Sequence, residues 1–194
     1  MTISPIAYDV QVHEYSIRVA GPDDLDSARA VMLDTVYRDF GTGYVPRWHG
    51  DIIDLHSAYV APVRHALLVA VDERDEVVAT GALDSRGPAH PPNPRWLAER
   101  YPSGETAQLR RIYVRSEHRR RGLARRMVAA LLDFVAADGG YRCVYLHTDP
   151  AVPGAEDFWR SQGVAVCDER EESGQRVVHF EIPMPVTSSP VVVM

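Results

Sequence analysis

The stretch Arg119-Arg120-Arg121-Gly122-Leu123-Ala124 decides how the rest of this 194-residue chain is interpreted. Before it, the large and β-branched residues of Gln108–Val114 predict a strand. After it, apolar residues recur at helical spacing between Leu123 and Asp138, and Gly139 follows as a helix stop. A strand therefore leads through a basic, glycine-containing turn into a helix. The unpaired N–H groups and partial positive charge of such a helix start suit a phosphate or pyrophosphate.

This turn resembles the acyl-CoA-binding motif of the GNAT superfamily of N-acetyltransferases. The motif is Arg/Gln-x-x-Gly-x-Gly/Ala, and it is met by Arg119, Gly122 and Ala124. The strand that ends in Val114 and the amphipathic helix after the turn are also similar to the family pattern. Neither a Walker motif nor a dinucleotide-binding G-x-G-x-x-G is present. An ordinary strand, turn and helix with a solvated arginine cluster is the alternative interpretation.

The composition is that of a soluble globular domain. Hydrophobic residues make up 45% of the chain and charged residues 25%. The formal net charge of −6 argues against a nucleic-acid partner. Cys143 and Cys167 lie in apolar, strand-like stretches and are typical of buried thiols, and no Cys/His spacing predicts a metal site. Without a recognisable signal peptide or a membrane-spanning apolar run, we expect a cytoplasmic protein with no membrane partner.

The order of the predicted elements is strand, two helices, three strands, helix, strand, helix and two strands. We expect an N-terminal arm over residues 1–14, one domain over residues 15–184 and a flexible C-terminal tail over residues 185–194. The GNAT fold has the same order of elements, so the resemblance covers nearly the whole chain. It implies an α/β (α+β) fold with a mixed, mostly antiparallel seven-stranded sheet, about four flanking helices and splayed parallel central strands.

The resemblance implies acetyl-CoA or another acyl-CoA as co-substrate and no metal. Backbone N–H groups of the turn would hold the pyrophosphate, and the free edge of the preceding strand would pair with the pantetheine arm. A tryptophan in the short helix after the fifth strand would pack against that arm or only in the core. The implied cofactor-binding residues are Ile112, Val114, Arg119, Arg120, Arg121, Gly122, Leu123, Ala124 and Trp159.

The catalytic residues are less clearly indicated. The family often uses a tyrosine of the short helix as the acid, and here Trp159 stands at that position. An indole cannot donate a proton as a phenol does. Glu105, at the entry to the central strand, and His147, near the end of the fifth strand, are the candidate catalytic residues. The structural alternatives are a solvated loop carboxylate and a half-buried strand histidine.

The segment Ser85–Gly104 contains five prolines and is long for an ordered loop. One interpretation is a mobile surface insertion. The other is a wall over the acceptor site, with Trp96 and Tyr101 as contacts.

The function implied by the resemblance is transfer of an acetyl or other acyl group from acyl-CoA to a primary amine of a small molecule, by direct attack through a tetrahedral intermediate. Two alternatives stay open: a longer acyl-CoA or an acyl carrier protein as donor in secondary metabolism, and a non-catalytic acyl-CoA-binding regulatory module. An acidic carrier protein would favour a basic surface. The arginines that would form this basic surface are Arg110, Arg111, Arg115, Arg119, Arg120, Arg121, Arg125 and Arg126. Whether the protein forms a homodimer also stays open.

Overall fold

The computed structural model describes residues 14–169 and 176–184. The predicted N-terminal arm except Glu14, residues 170–175 between the last two strands and the predicted C-terminal tail lie outside the described residues. The domain boundaries therefore stay predictions. Within the described residues, none of the helices combines the length and the apolar character that crossing a membrane requires.

The centre of the fold is one seven-stranded sheet with the strand order β1-β2-β3-β4-β5-β7-β6. All neighbouring strands run antiparallel except β4 and β5, which are parallel. The predicted mixed, mostly antiparallel seven-stranded sheet is therefore confirmed. The strands are β1 Ser16–Val19, β2 Ala66–Val71, β3 Val77–Asp84, β4 Thr106–Val114, β5 Cys143–Thr148, β6 Val164–Asp168 and β7 Val178–Ile182.

Five α-helices flank the sheet in the described part of the chain. The first two each continue, directly or nearly so, into a π-helical segment, over Thr35–Asp39 and His56–Val60. The helix Arg95–Arg100 within the proline-rich segment is a fifth, beyond the four predicted. The sequence did not indicate it, because six residues between prolines show too little periodicity. The α-helices are α1 Leu25–Asp34, α2 Pro46–Ile53, α3 Arg95–Arg100, α4 Leu123–Asp138 and α5 Ala155–Arg160.

The sheet separates two apolar layers. Helix α4 packs on one face, where Met127 and Leu131 belong to the same buried cluster as Leu109. Helices α1 and α2 pack on the other face, in a cluster that contains Ala82. Since side chains alternate along a strand and Ala82 pairs with Arg110, Arg110 points to the α1–α2 face. Alternate side chains in this part of β4 therefore point away from α4 and towards α1 and α2.

The parallel strands β4 and β5 part soon after they meet. Their pairing extends only from Thr106 with Cys143 to Gln108 with Tyr145. Beyond Gln108, β4 continues to Val114 with no partner strand on that edge among the described residues, while β5 pairs with β7 on its other side. The predicted splay of the parallel central strands is confirmed, and it leaves a gap beside the second half of β4.

A bulge interrupts β4 at Arg111, whose φ is 54°. The register of β3 against β4 shifts between Thr80 and Ala82, so Gly81 faces two residues of β4. The Thr80 hydroxyl donates a 2.9 Å hydrogen bond to the Arg111 carbonyl. The extra residue turns the side chain of Arg111 to the α1–α2 face, next to that of Arg110.

Candidate active site

The turn between β4 and α4 leaves its backbone open to a ligand. Gly122 is the N-cap of α4, with φ 77°, and no side chain caps this helix end. Arg120 also has a left-handed conformation, with φ 63°. The first four N–H groups of a helix have no acceptor within it, and a Cβ added to Gly122 would meet no atom within 4 Å. These donors, with the helix dipole, fit the phosphate groups of an acyl-CoA.

The arginine side chains of the turn differ in what they contact. Arg119 forms an ion pair with Asp39 and donates a 2.8 Å hydrogen bond to the Val114 carbonyl. Arg121 forms an ion pair with Glu14. These contacts hold the turn against the π-helical segment that follows α1 and against the residue two positions before β1. The arginines near this helix end that make no hydrogen bond or ion pair to a described residue are Arg120 and Arg125.

The edge of β4 that faces the gap carries the two strand positions predicted to bind the donor. The side chains of Ile112 and Val114 pack against the α4 core. Their backbone lies in the half of β4 that β5 does not pair with. An extended ligand could therefore add to this edge as a strand would. Binding at Ile112, Val114 and the turn residues Arg119–Ala124 stays a prediction, with a geometry that fits it.

Trp159 lies in the core. Its side chain belongs to the buried cluster that contains Val178 and Phe180, and its ring meets that of Phe158 edge-on at 4.8 Å. This environment is that of a packing residue between α5 and the sheet. A contact between Trp159 and the donor stays a prediction.

A polar cluster lies on the α1–α2 face where β4 and β5 part. Gln108 Nε2 is 3.3 Å from His147 Nδ1, so these two side chains face each other across the diverging strands. The guanidinium of Arg110 lies on the same face, with Nη1 3.6 Å from Asp84 Oδ2. Of these four residues, only His147 was singled out from the sequence as a catalytic candidate. Asp84 could have been noticed, because an acid directly ends a strand whose only other polar side chain is that of Thr80.

His147 is open to solvent within this cluster. The exposed ring is nevertheless surrounded by protein atoms, and this partial desolvation, followed by the nearby positive charge of Arg110, lowers the pKa of His147 from its ordinary value. The imidazole is therefore neutral near pH 7. A neutral ring can accept a proton, which keeps His147 a candidate base, although a lowered pKa makes it a weak one.

Glu105 lies at the closed end of the gap, one residue before β4. Its carboxylate pairs with Arg142 at 2.9 Å, and its backbone carbonyl accepts from the Arg142 N–H. The side chain is 49% exposed. Glu105 and His147 are thus not brought into contact, and a catalytic role for Glu105 stays a prediction.

A buried ion pair ties α2 to the bulge of β4. Arg111 donates from Nε and Nη2 to the two carboxylate oxygens of Asp51, at 2.8 and 2.5 Å. The Tyr59 hydroxyl donates to the same carboxylate at 2.5 Å. Burial raises the pKa of Asp51, but the hydrogen bonds and charge of Arg111 outweigh it and bring the value to about 2. The sequence did not reveal this pair, because its members are far apart along the chain.

A second buried chain of hydrogen bonds runs from β5 to the end of β6. The Tyr145 hydroxyl lies 2.6 Å from His179 Nδ1, and His179 Nε2 lies 2.7 Å from a Glu169 oxygen. Tyr145 donates and Nε2–H donates when the ring is neutral, which burial favours by lowering the pKa of His179. Cys167 brings a thiol within 4.8 Å of the carboxylate and the ring. Both ring nitrogens already have protein partners, so a metal ion is not needed to satisfy them.

The proline-rich segment folds against β5 and β7. The Tyr101 hydroxyl donates to Glu181 at 2.6 Å, and the Tyr101 ring packs on Tyr145 at 4.9 Å. The two ends of the segment meet where Gly104 N–H donates to the Ser85 carbonyl at 2.7 Å. These contacts argue against a mobile insertion, and a role of the segment as a wall over the acceptor site stays a prediction. Trp96, the other predicted contact, is 47% exposed.

Comparison with known proteins agrees with this geometry. The family model for the acetyltransferase (GNAT) family matches residues 33–164, from α1 to the start of β6. The chain belongs to the GNAT acetyltransferase family. Members of the GNAT family generally use an acyl-CoA as co-substrate, which is the ligand that the open turn and strand edge fit.

Relatives of this GNAT chain are distant. The N-acetyltransferase 8 of Rattus norvegicus is 29% identical over 144 residues, which are 71% of this chain and 59% of that protein. The chain thus matches less than two thirds of that relative. A GNAT acetyltransferase from Staphylococcus aureus aligns with a TM-score of 0.67 at 12% identity, over 87% of this chain and 99% of that one. An acetyltransferase from Streptococcus agalactiae has a TM-score of 0.63 at 13% identity, over 87% and 98%. At these identities the structural likeness shows the fold alone.

Proposed function

We propose that this GNAT protein transfers an acetyl or other acyl group from acyl-CoA to a primary amine of a small molecule. The observation that carries the proposal is the position of the gap beside β4. At one end the gap reaches the uncapped start of α4, and at the other it reaches the polar cluster around Gln108 and His147. Between Gln108 and Val114 the strand edge spans about 20 Å at roughly 3.3 Å per residue. An elongated donor can lie along it.

The bound acyl-CoA would supply an activated acyl carbon, and the protein would supply positioning and electrostatics. Backbone N–H groups on the free edge of β4 would orient the donor and stabilise negative charge that develops on the acyl oxygen. The ion pair between Arg111 and Asp51 keeps the bulged part of that edge in place. A preorganised edge of this kind costs little reorganisation during the reaction.

The acceptor amine must lose its proton before it attacks. Positive charge near the site favours the neutral amine, in the same way that Arg110 and Arg111 lower the pKa of His147. His147 or a water molecule would then accept the proton. The tetrahedral intermediate would then collapse with cleavage of the carbon–sulfur bond. Because Trp159 supplies no proton, CoA would leave as the thiolate and take a proton from water.

An acyl-CoA donor is favoured over an acyl carrier protein by the state of the arginine surface. Arg111 is buried in its pair with Asp51, and Arg110 lies inside the cleft. Internal hydrogen bonds or ion pairs also hold the side chains of Arg115, Arg119, Arg121 and Arg126. Fewer of the basic side chains are therefore available to dock an acidic protein.

The test is release of free thiol from acetyl-CoA with a panel of primary amines, repeated with longer acyl-CoAs and an acyl carrier protein. We expect amine-dependent release with a CoA thioester. Tight binding of acyl-CoA without release for any amine would instead indicate a regulatory module. Thiol release from the acyl carrier protein but from no CoA thioester would show that the carrier protein is the donor.

A further inference from the structure

Arg110 and Arg111 are neighbours in the sequence, but their guanidinium groups differ in how many hydrogen bonds they make. Arg111 makes four hydrogen bonds, to Asp51, Tyr113 and the Trp48 carbonyl. Arg110 makes none to a described residue. A guanidinium has five N–H donors, so Arg110 enters the cleft with its donor capacity unused by the protein. Its side chain is 26% exposed, which leaves it accessible from the cleft.

The charge nearest to Arg110 is Asp84, and it does not neutralise the cleft. Asp84 is fully buried, and its Oδ2 has no hydrogen-bond partner in the described residues. This oxygen lies 3.3 Å from Arg86 Nε and 3.6 Å from Arg110 Nη1, so two cations share one carboxylate. With the pair of Arg111 and Asp51 included, three guanidinium groups face two carboxylates. The cleft therefore keeps an excess positive charge.

We propose that Arg110 binds a carboxylate of the acceptor, so that the acceptor is a small molecule with both an amine and a carboxylate. The proposal rests on the function proposed above and names the substrate class. The planar fork of a guanidinium matches a carboxylate in a two-pronged arrangement. Asp84 attracts the guanidinium of Arg110 electrostatically. It leaves the N–H donors of Arg110 free, because the 3.6 Å between Nη1 and Asp84 Oδ2 is too long for a hydrogen bond.

The position of Arg110 suits this role. It is two residues along β4 from Gln108, on the same face, and Gln108 contacts His147. A carboxylate on Arg110 would thus tether the acceptor beside the point where β4 and β5 part. The acceptor amine would be brought to the same end of the gap as His147.

The competing explanation is that Arg110 only compensates the buried charge of Asp84. The chain offers a matched control for it, because Arg86 pairs with the same oxygen of Asp84 at a shorter distance. If compensation were the whole role, Arg86→Gln and Arg110→Gln would have the same effect on the enzyme. If Arg110 binds the acceptor, only Arg110→Gln changes the choice between acceptors.

The experiment uses pairs of amines that differ only in a carboxylate or a carboxamide. We expect the wild type to prefer the carboxylate member roughly tenfold to a hundredfold in kcat/KM, the size of a hydrogen bond to a charged group. Arg110→Gln should bring the ratio close to one, with the KM for acyl-CoA unchanged. Arg86→Gln should keep the wild-type ratio. Thermal melting of each variant checks that it is folded.

Equal use of both members by the wild type, or an unchanged ratio in Arg110→Gln, would overturn the inference and leave the acyltransferase function intact. If no amine were acylated, the proposed function would fail. Calorimetric titration of the same amine pairs into the protein with CoA would then test, without turnover, whether Arg110 binds the carboxylate. Carboxylate-dependent binding that Arg110→Gln removes supports the inference, and equal or absent binding overturns it.

Discussion

Arg111 and Asp51 meet in a two-pronged ion pair, with Nε–Oδ2 at 2.8 Å and Nη2–Oδ1 at 2.5 Å. Both side chains are almost buried, with 9% and 10% exposed. Arg111 is also the bulge residue of β4, and its positive φ is a strained conformation for a residue with a Cβ. The pair connects α2, on the α1–α2 face of the sheet, to the strand edge that we propose holds the donor.

Asp51→Asn should lower the free energy of unfolding by about 3 kcal/mol, because it leaves a buried guanidinium without its counter-charge. Urea unfolding measures the effect. Asp26→Asn is the matched control, since Asp26 pairs with Arg29 at the surface and is 93% exposed. A change of less than about 0.5 kcal/mol is expected there. Equal effects at both positions would contradict the role of the buried pair.

The same pair predicts how acid affects stability. The pKa of Asp51 is lowered from 3.8 to about 2 in the folded state, so the folded state binds fewer protons than the unfolded state between these values. The contribution of the pair is therefore complete above pH 4 and is lost as the pH falls towards 2, on the order of 2 kcal/mol. Asp51→Asn should lose less stability over that range than the wild type. Parallel curves would refute this prediction.

Gly122→Trp should weaken CoA binding at least about tenfold, because an indole would fill the open space above the helix start. Calorimetry with CoA measures it. Gly139→Trp is the control at the other end of α4, where φ is 67° and the surroundings are equally open. Both variants carry similar backbone strain, but only the first lies at the predicted phosphate turn. Unchanged CoA affinity in Gly122→Trp would eliminate the site.

The two aromatic residues of the proline-rich wall should respond differently. Trp96→Ala should raise the acceptor KM several-fold and leave the melting temperature nearly unchanged, since Trp96 is exposed. Tyr101→Ala should instead destabilise the protein by about 3 kcal/mol, because it empties a packed site against Tyr145. Steady-state kinetics and thermal melting separate the two effects. An unaltered acceptor KM in Trp96→Ala would argue against a substrate-facing wall.

Trp159→Phe should change kcat by less than about tenfold, because an indole supplies no proton and a phenyl ring retains part of the packing. It should also lower the stability by roughly 1–2 kcal/mol, as expected for a smaller ring in a core site. Kinetics and urea unfolding give the two numbers. A loss of a hundredfold or more in kcat at unchanged stability would show that Trp159 takes part in the reaction.

His147→Phe should lower kcat by about a hundredfold if His147 is the base, and Glu105→Gln by less than about threefold. The pKa of His147 is lowered, so the acidic limb of kcat/KM should lie below the ordinary value of 6.5 and disappear in His147→Phe. Full activity and an unchanged pH profile in both variants would leave water as the proton acceptor. A larger loss in Glu105→Gln would reverse the assignment of the two candidates.

The central elements of this GNAT domain could be predicted from local sequence pattern. Helix α4 was predicted with the bounds that the structure has, because its apolar repeat ends at a glycine. The open turn around Gly122 was also predictable, since the conformational need for glycine and the helix start depend on neighbours in the chain. The parallel pairing of the two central strands followed from the resemblance, which covers the same succession of elements along the chain.

The polar cluster where β4 and β5 part was decided by tertiary structure. Alternation along β4 sends Gln108 and Arg110 to one face, but which strands lie beside them depends on long-range pairing. The bulge at Arg111 arises from the register against β3, and its counter-charge, Asp51, comes from a helix 60 residues earlier. Charges that meet across such distances leave no periodic signal. The local pattern of this sequence determined the scaffold and the phosphate turn, and only the packing of distant elements determined the charge of the cleft.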